Sequence, residues 1–257
     1  MSKILIQPYN SLAKYSHLIN ERNFAFEIVD FAFPKILDTN YQKILREYLT
    51  NEVDKNLFYS MHGAVFDLYI NSPDSKIKQV SIERIQQCLE IAQKLETKFI
   101  VFHTNYYPMM GNESYYRNWV KNHIEFWSGI VDNYNFTILL ENMWDYTPKW
   151  LAEVIFGVNS SKLKVCFDTG HCNVFSRVPM KKWFEILSDN IVYIHINDNG
   201  GETDEENPPG QGNIDWETFN TLVKNYCQNP VVVLEVSDLK KIEESINFLE
   251  KKAIYPF

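Results

Sequence analysis

The chain has 257 residues, 45% of them hydrophobic and 15% aromatic, enough to bury a substantial core in one large domain. A formal net charge of -8, with no run of Lys and Arg, disfavours nucleic acid as a partner. No apolar run is long enough to span a bilayer, and the start of the chain carries no signal-peptide pattern. The four cysteines (Cys88, Cys166, Cys172, Cys227) show no Cys-x-x-Cys spacing and read as reduced thiols of a cytoplasmic protein.

Short β-branched or aromatic runs alternate with longer segments of helical periodicity. A strand over 3–8 ("KILIQP") precedes a helix over 11–21, and a strand over 24–30 ("FAFEIVD") precedes one over 40–52. Strands over 57–63 ("LFYSMHG") and 98–104 ("KFIVFHT") lead to helices over 75–96 and 114–132. Then come "TILLEN" (137–142) with a helix over 148–157, and "LKVCFD" (163–168) with one over 179–188. The last pairs are "IVYIHIND" (191–198) with 215–227, and "VVVLEV" (231–236) with 238–252. Thr147-Pro148 and Asp215-Trp216-Glu217 mark two helix starts, where a capping residue precedes Pro or an acidic first turn.

Eight such alternations without a linker fit an α/β fold, a closed parallel (β/α)8 TIM barrel, as a single domain over 1–257. An open doubly wound sheet would show a Gly-rich phosphate loop after an early strand, and "QPYNSLAKY" has none. The long connections 104–113 and 199–214 would lie on the catalytic face of a barrel.

Ionisable residues sit near the ends of six consecutive runs: His62, His103, Glu141, Asp168, His195 and Glu235. A barrel gathers those ends around one mouth. A lone histidine or carboxylate there reads as a structural residue; six in succession do not. Crowded carboxylates repel one another unless a cation offsets them. Mixed imidazole and carboxylate donors suit zinc, manganese, iron or cobalt better than calcium. The expected cofactor is therefore a divalent metal, with no organic cofactor. In "VCFDTGHCNVF" His171 follows Asp168 by three residues, but Asp-Thr there also reads as an ordinary helix N-cap. His17 and His123 fall in predicted helices and read as surface or packing residues.

The stretches "SMHGAVFDL", "FIVFHTNY", "ILLEN", "CFDTGH", "YIHINDN", "DEENPPGQGNIDW" and "VVLEV" resemble, in order, the xylose-isomerase-like TIM barrels. That superfamily holds sugar and sugar-phosphate isomerases and epimerases together with the endonuclease IV group. The resemblance to its epimerase-like members implies one metal held by Glu141, Asp168, His195 and Glu235. Similarity to the endonuclease IV group implies up to three zinc ions, with His62 and His103 on the first and Glu141 bridging to the second. His171 would serve the third beside an Asp-x-His pair, which here reads Asp204-Glu205-Glu206. Glu206 replaces the expected histidine, a harder donor that suits zinc less.

As an isomerase or epimerase, such a protein would act on a small sugar or sugar derivative through an enediolate. Glu141 and Glu235 would move the proton, and His171 would bind a hydroxyl or polarise the carbonyl. Tyr9, Tyr106, Tyr107, Trp144 and Tyr146 are candidates to stack on a sugar face. Arg177 or the "GQGN" turn with Gln211 would contact a phosphate, if the substrate is a sugar phosphate; the turn reads equally as a loop entering the next helix. The alternatives are a multinuclear zinc phosphoesterase (AP endonuclease family 2-like) and a barrel that binds metal or sugar without turnover. Trp119, Phe126 and Trp127 share a predicted helix, a candidate dimer face for which core packing is the simpler account.

Overall fold

Eight apolar runs become eight parallel strands that close into a barrel in sequence order. The computed structural model describes residues 4–7, 15, 18–19, 22, 24–50 and 57–257. The strands are β1 (Ile4–Ile6), β2 (Ala25–Ile28), β3 (Phe58–His62), β4 (Phe99–His103), β5 (Thr137–Glu141), β6 (Leu163–Asp168), β7 (Ile191–Ile196) and β8 (Val231–Leu234). The ring closes where β1 pairs with β8, Ile4 opposite Val232 and Ile6 opposite Leu234.

Side chains alternate between the two faces of each strand. Outward residues such as Phe26, Ile100, Phe102, Leu140, Phe167 and Ile194 pack against the helices in one large core. Trp119, Trp127, Trp183, Phe184 and Phe219 supply the helical side of that core. Each buried side chain of this size contributes about 2–3 kcal/mol. Trp119 and Trp127 are thus core residues, and Phe126 packs partly buried beside them.

Inward residues form a smaller cluster of Leu5, Ala25, Val101, Leu139, Cys166, Tyr193, Val231 and Val233. Two positions further along each strand the period-2 rule brings Gln7, Glu27, His103, Glu141, Asp168, His195 and Glu235 to the same face. Ser60 and His62 make the matching step on β3. An apolar interior layer therefore lies under a polar one, and the polar layer opens at the C-terminal mouth.

The expected helices appear over Tyr41–Thr50, Ser75–Leu95, Glu113–Ile130, Lys149–Val158, Met180–Leu187, Trp216–Tyr226 and Leu239–Lys252. Asp74, Asn112, Asp215 and Asp238 cap four of them by accepting from backbone amides of the first turn. The predicted helix over 11–21 lies largely outside the described residues. The helix Pro34–Thr39 was not expected, being too short to show a period, and Thr169–Phe175 is the short helix that the Asp168-Thr169 cap reading allowed. The four cysteines are free thiols. No helix among the described residues is long and apolar enough to cross a membrane.

Candidate metal centre

Five strand ends converge around Glu141, itself the end of β5. Its Oε2 lies 3.2 Å from His62 Nε2 and 3.4 Å from His103 Nε2. Its Oε1 lies 3.0 Å from His195 Nδ1 and 3.4 Å from His171 Nδ1. Glu235, one residue beyond β8, places Oε2 3.2 Å from His195 Nδ1. Donor atoms of Glu141, Asp168, His195 and Glu235 all lie within 4.8 Å of one another, and those of His62, His103 and Glu141 form a second such group.

Asp168 caps a helix and also faces the cluster. Its Oδ1 accepts from the His171 amide at 2.6 Å and so caps the helix Thr169–Phe175. Its Oδ2 accepts from Asn197 Nδ2 at 2.9 Å and stays on the mouth side. Gly170 permits this packing, because a Cβ there would stand 1.8 Å from Asn197 Oδ1. His171 turns its other nitrogen to the seventh loop, with Nε2 3.1 Å from Asp204 Oδ2.

Burial raises the Asp168 pKa well above the carboxylate range, and the charges of Glu235, Glu141 and Asp204 push the same way. Burial and the neighbouring Glu235 and Asp204 lift Glu206 to about 7. Burial also opposes charge on His195, yet the carboxylates of Glu235, Glu141 and Glu27 raise its pKa well above 6.5. For His103 burial prevails, and its pKa falls to about 4. Against the effect of burial, the charges of His195 and His103 hold Glu141 well below the ordinary carboxylate value. The mouth thus combines an ionised acid, a proton-binding Asp168 and histidines, a donor set suited to a divalent cation.

The remaining candidates divide by place. Trp144 lies parallel to the half-exposed Phe66 with centroids 6.4 Å apart, and 5.0 Å from Tyr107. Phe66 in turn sits 6.2 Å from the His103 ring, so this aromatic wall borders the centre. Tyr106 is buried and stacks on Trp150 at 4.1 Å, a packing position in the core rather than on the wall. Arg177 lies over the Tyr146 ring at 3.4 Å, which joins those two candidates to each other. Gln211 donates to Glu244 Oε2 at 2.9 Å, toward the last helix rather than the centre. The "GQGN" turn is held by Asp198, which accepts from the amides of Gly210 and Ile214 and from Trp216 Nε1. That pattern makes it a loop entering a helix. Tyr9 lies outside the described residues.

Sequence reasoning missed Gln7, Glu27, Phe66 and Tyr69. Glu27 is fully buried and lies 3.1 Å from His195 Nε2. A charged residue inside the run "FAFEIVD" was its signal. Tyr69 joins the aromatic wall through a 2.6 Å bond to the Tyr107 hydroxyl.

Sugar epimerases are among the solved structures that share this closed parallel barrel. Residues 23–252 match the xylose isomerase-like TIM barrel family, and the chain belongs to it. It is similar to the uncharacterized protein MJ1311 of Methanocaldococcus jannaschii, 26% identical over 266 residues that cover 98% of this chain and 87% of that one. Among solved structures, a D-tagatose 3-epimerase-like protein superposes with a TM-score of 0.74 at 25% identity, covering 98% of this chain and 97% of that one. The TTHB071 protein from Thermus thermophilus, soaked with zinc chloride, gives a TM-score of 0.76 at 21% identity over 98% of both chains.

Proposed function

We propose that the chain is a divalent-metal-dependent isomerase or epimerase of a small sugar or sugar derivative, with Glu141, Asp168, His195 and Glu235 holding the ion. The observation that carries this reading is the convergence of those four donors within 4.8 Å at the mouth. Likeness to the D-tagatose 3-epimerase-like protein supports the substrate class. Zinc, manganese, cobalt or iron suits the mixed donors. A bound ion would supply a Lewis acid that polarises a carbonyl and the neighbouring hydroxyl of the sugar.

The chain's own groups would then move the proton. One of Glu141 and Glu235 takes it from the carbon beside the carbonyl, and the other returns one. His171, whose Nδ1 lies 2.9 Å from the Asn142 carbonyl, would bind a sugar hydroxyl through Nε2 in place of Asp204. Trp144, Phe66 and Tyr107 offer a face on which the sugar's C–H groups stack. Incubating the protein with a panel of ketoses in deuterated water tests the reading. Deuterium should enter one substrate beside its carbonyl, and Glu235→Gln should slow that entry about 10²–10⁴-fold. Exchange unchanged in the variant would contradict the assignment.

A second reading, the endonuclease IV-like phosphoesterase, is favoured by the further donor group of His62, His103 and Glu141, which shares Glu141 with the first. Two ions there would activate a hydroxide and steady a leaving oxygen. Glu206 in place of the expected histidine and the net charge of -8 weigh against it. Incision of abasic-site DNA at near-physiological salt would favour this reading over the first.

A further inference from the structure

Gln7, one residue beyond β1, and Glu27 on β2 come from the two strands that bring no candidate ligand to the centre. Both lie under the mouth, 2% and 0% exposed. Removing a carboxylate from water costs several kcal/mol unless donors surround it. Donors do surround Glu27. Its Oε1 accepts from Gln7 Nε2 at 2.9 Å and lies 3.1 Å from His195 Nε2. Its Oε2 accepts from the Tyr193 hydroxyl at 2.7 Å. Ser60 Oγ lies 3.5 Å from the same oxygen and also bonds the Tyr193 hydroxyl.

An ionised carboxylate only accepts hydrogen bonds. The nitrogen of His195 that faces Glu27 is Nε2, which therefore carries a hydrogen; Nδ1 faces carboxylates as well and carries one only while no ion occupies the centre. The ring then turns Nδ1 toward the centre, 3.0 Å from Glu141 Oε1 and 3.2 Å from Glu235 Oε2. The Gln7 amide nitrogen has a second hydrogen and gives it to Glu235 Oε1 at 3.0 Å. One amide thus ties Glu27 to Glu235, while Asn197 Nδ2 reaches Glu235 Oε2 at 3.4 Å from the other side.

We propose that Gln7 and Glu27 are positioning residues: Glu27 holds His195 with Nε2–H inward and Nδ1 presented to the ion, and Gln7 locks Glu235 to the same support. Rings that bind metals commonly donate their other N–H to a carboxylate, which fixes the tautomer and raises ligand basicity. The inference rests on the metal reading above. It also gives the buried polar layer on β1 and β2 a task that packing alone would not require, since apolar residues would fill the same space at less cost.

Cobalt(II) titration of the dialysed chain, followed by visible absorption, tests it. Wild type should bind, and Glu27→Gln should bind about 10–100-fold more weakly. A glutamine has one acceptor oxygen for the three donors from Gln7, Tyr193 and His195, so it cannot hold all of them. Glu27→Asp should recover part of the affinity, which a purely steric role would not give. Equal cobalt affinity in wild type and Glu27→Gln overturns the inference and leaves the metal reading standing. No cobalt binding by wild type overturns the metal reading and this inference with it. If Glu27→Gln does not fold, nitrogen-15 NMR of His195 in the zinc-loaded wild type decides. Coordination through Nδ1 with the proton on Nε2 is expected; coordination through Nε2 overturns the proposal.

Discussion

His123 and His195 are both buried, yet their surroundings drive them in opposite directions. His123, on the helix Glu113–Ile130, stacks on Trp119 with centroids 3.9 Å apart. Neither of its ring nitrogens has a hydrogen-bond partner among the described residues, and burial pushes its pKa down to about 3. Burial opposes charge on His195 as well, but the surrounding carboxylates raise its pKa well above 6.5. Burial alone therefore does not mark a functional histidine. What its nitrogens face does.

The strongest way to break this contrast is to remove the acid that the mouth histidines share. Glu141→Ala strips His62, His103, His171 and His195 of one partner. Loss of one partner from a buried charge cluster costs roughly 3–5 kcal/mol. Urea unfolding of the metal-free protein at pH 7 should show a loss of that order; a midpoint unchanged from wild type would mean that the cluster carries no charge to balance.

A smaller effect belongs to His123. Its folded pKa of about 3 lies below the ordinary 6.5, so the unfolded chain takes up a proton that the fold refuses. Stability from this residue is intact above about pH 6.5 and declines as pH falls toward 3, by about 1.4 kcal/mol per unit. His123→Phe should remove that part of the decline, on the order of 2–3 kcal/mol between pH 7 and pH 4.5. Urea midpoints at the two pH values check it, and an equal decline in both proteins would place the acid sensitivity elsewhere.

The smallest effect is expected at Gln211, which is bonded to Glu244 on the surface. Gln211→Ala should change stability by less than about 0.5 kcal/mol and leave deuterium entry into the ketose unchanged. A marked fall in that exchange would return Gln211 to the substrate.

Much of this was legible in the sequence, for identifiable reasons. Parallel strands buried on both faces read as short apolar runs, and all eight were visible as such. His62, His103, Glu141 and Asp168 each close their strand, so their charge marks its end. Glu27 was not legible in that way, because the run "FAFEIVD" continues past it to Asp30 while β2 stops at Ile28. Its register opposite Ser60 shows that it faces inward, and pairing register is not written in a single strand. Gln7 is neutral and ends a run that stops at a proline, a position that also suits an ordinary strand end. Tyr106 misled because two adjacent tyrosines after β4 look alike: Tyr107 joins the aromatic wall, while Tyr106 packs against Trp150. Which of two neighbours faces the core depends on the backbone of the loop.

One ion is proposed to sit among Glu141, Asp168, His195 and Glu235. Metal analysis of the protein, loaded with manganese or zinc and then dialysed, tests it most directly. One tightly held ion per chain is expected, lost in Asp168→Ala and kept in His62→Ala. Two or three ions per chain, or a single ion that survives Asp168→Ala but not His62→Ala, would contradict it.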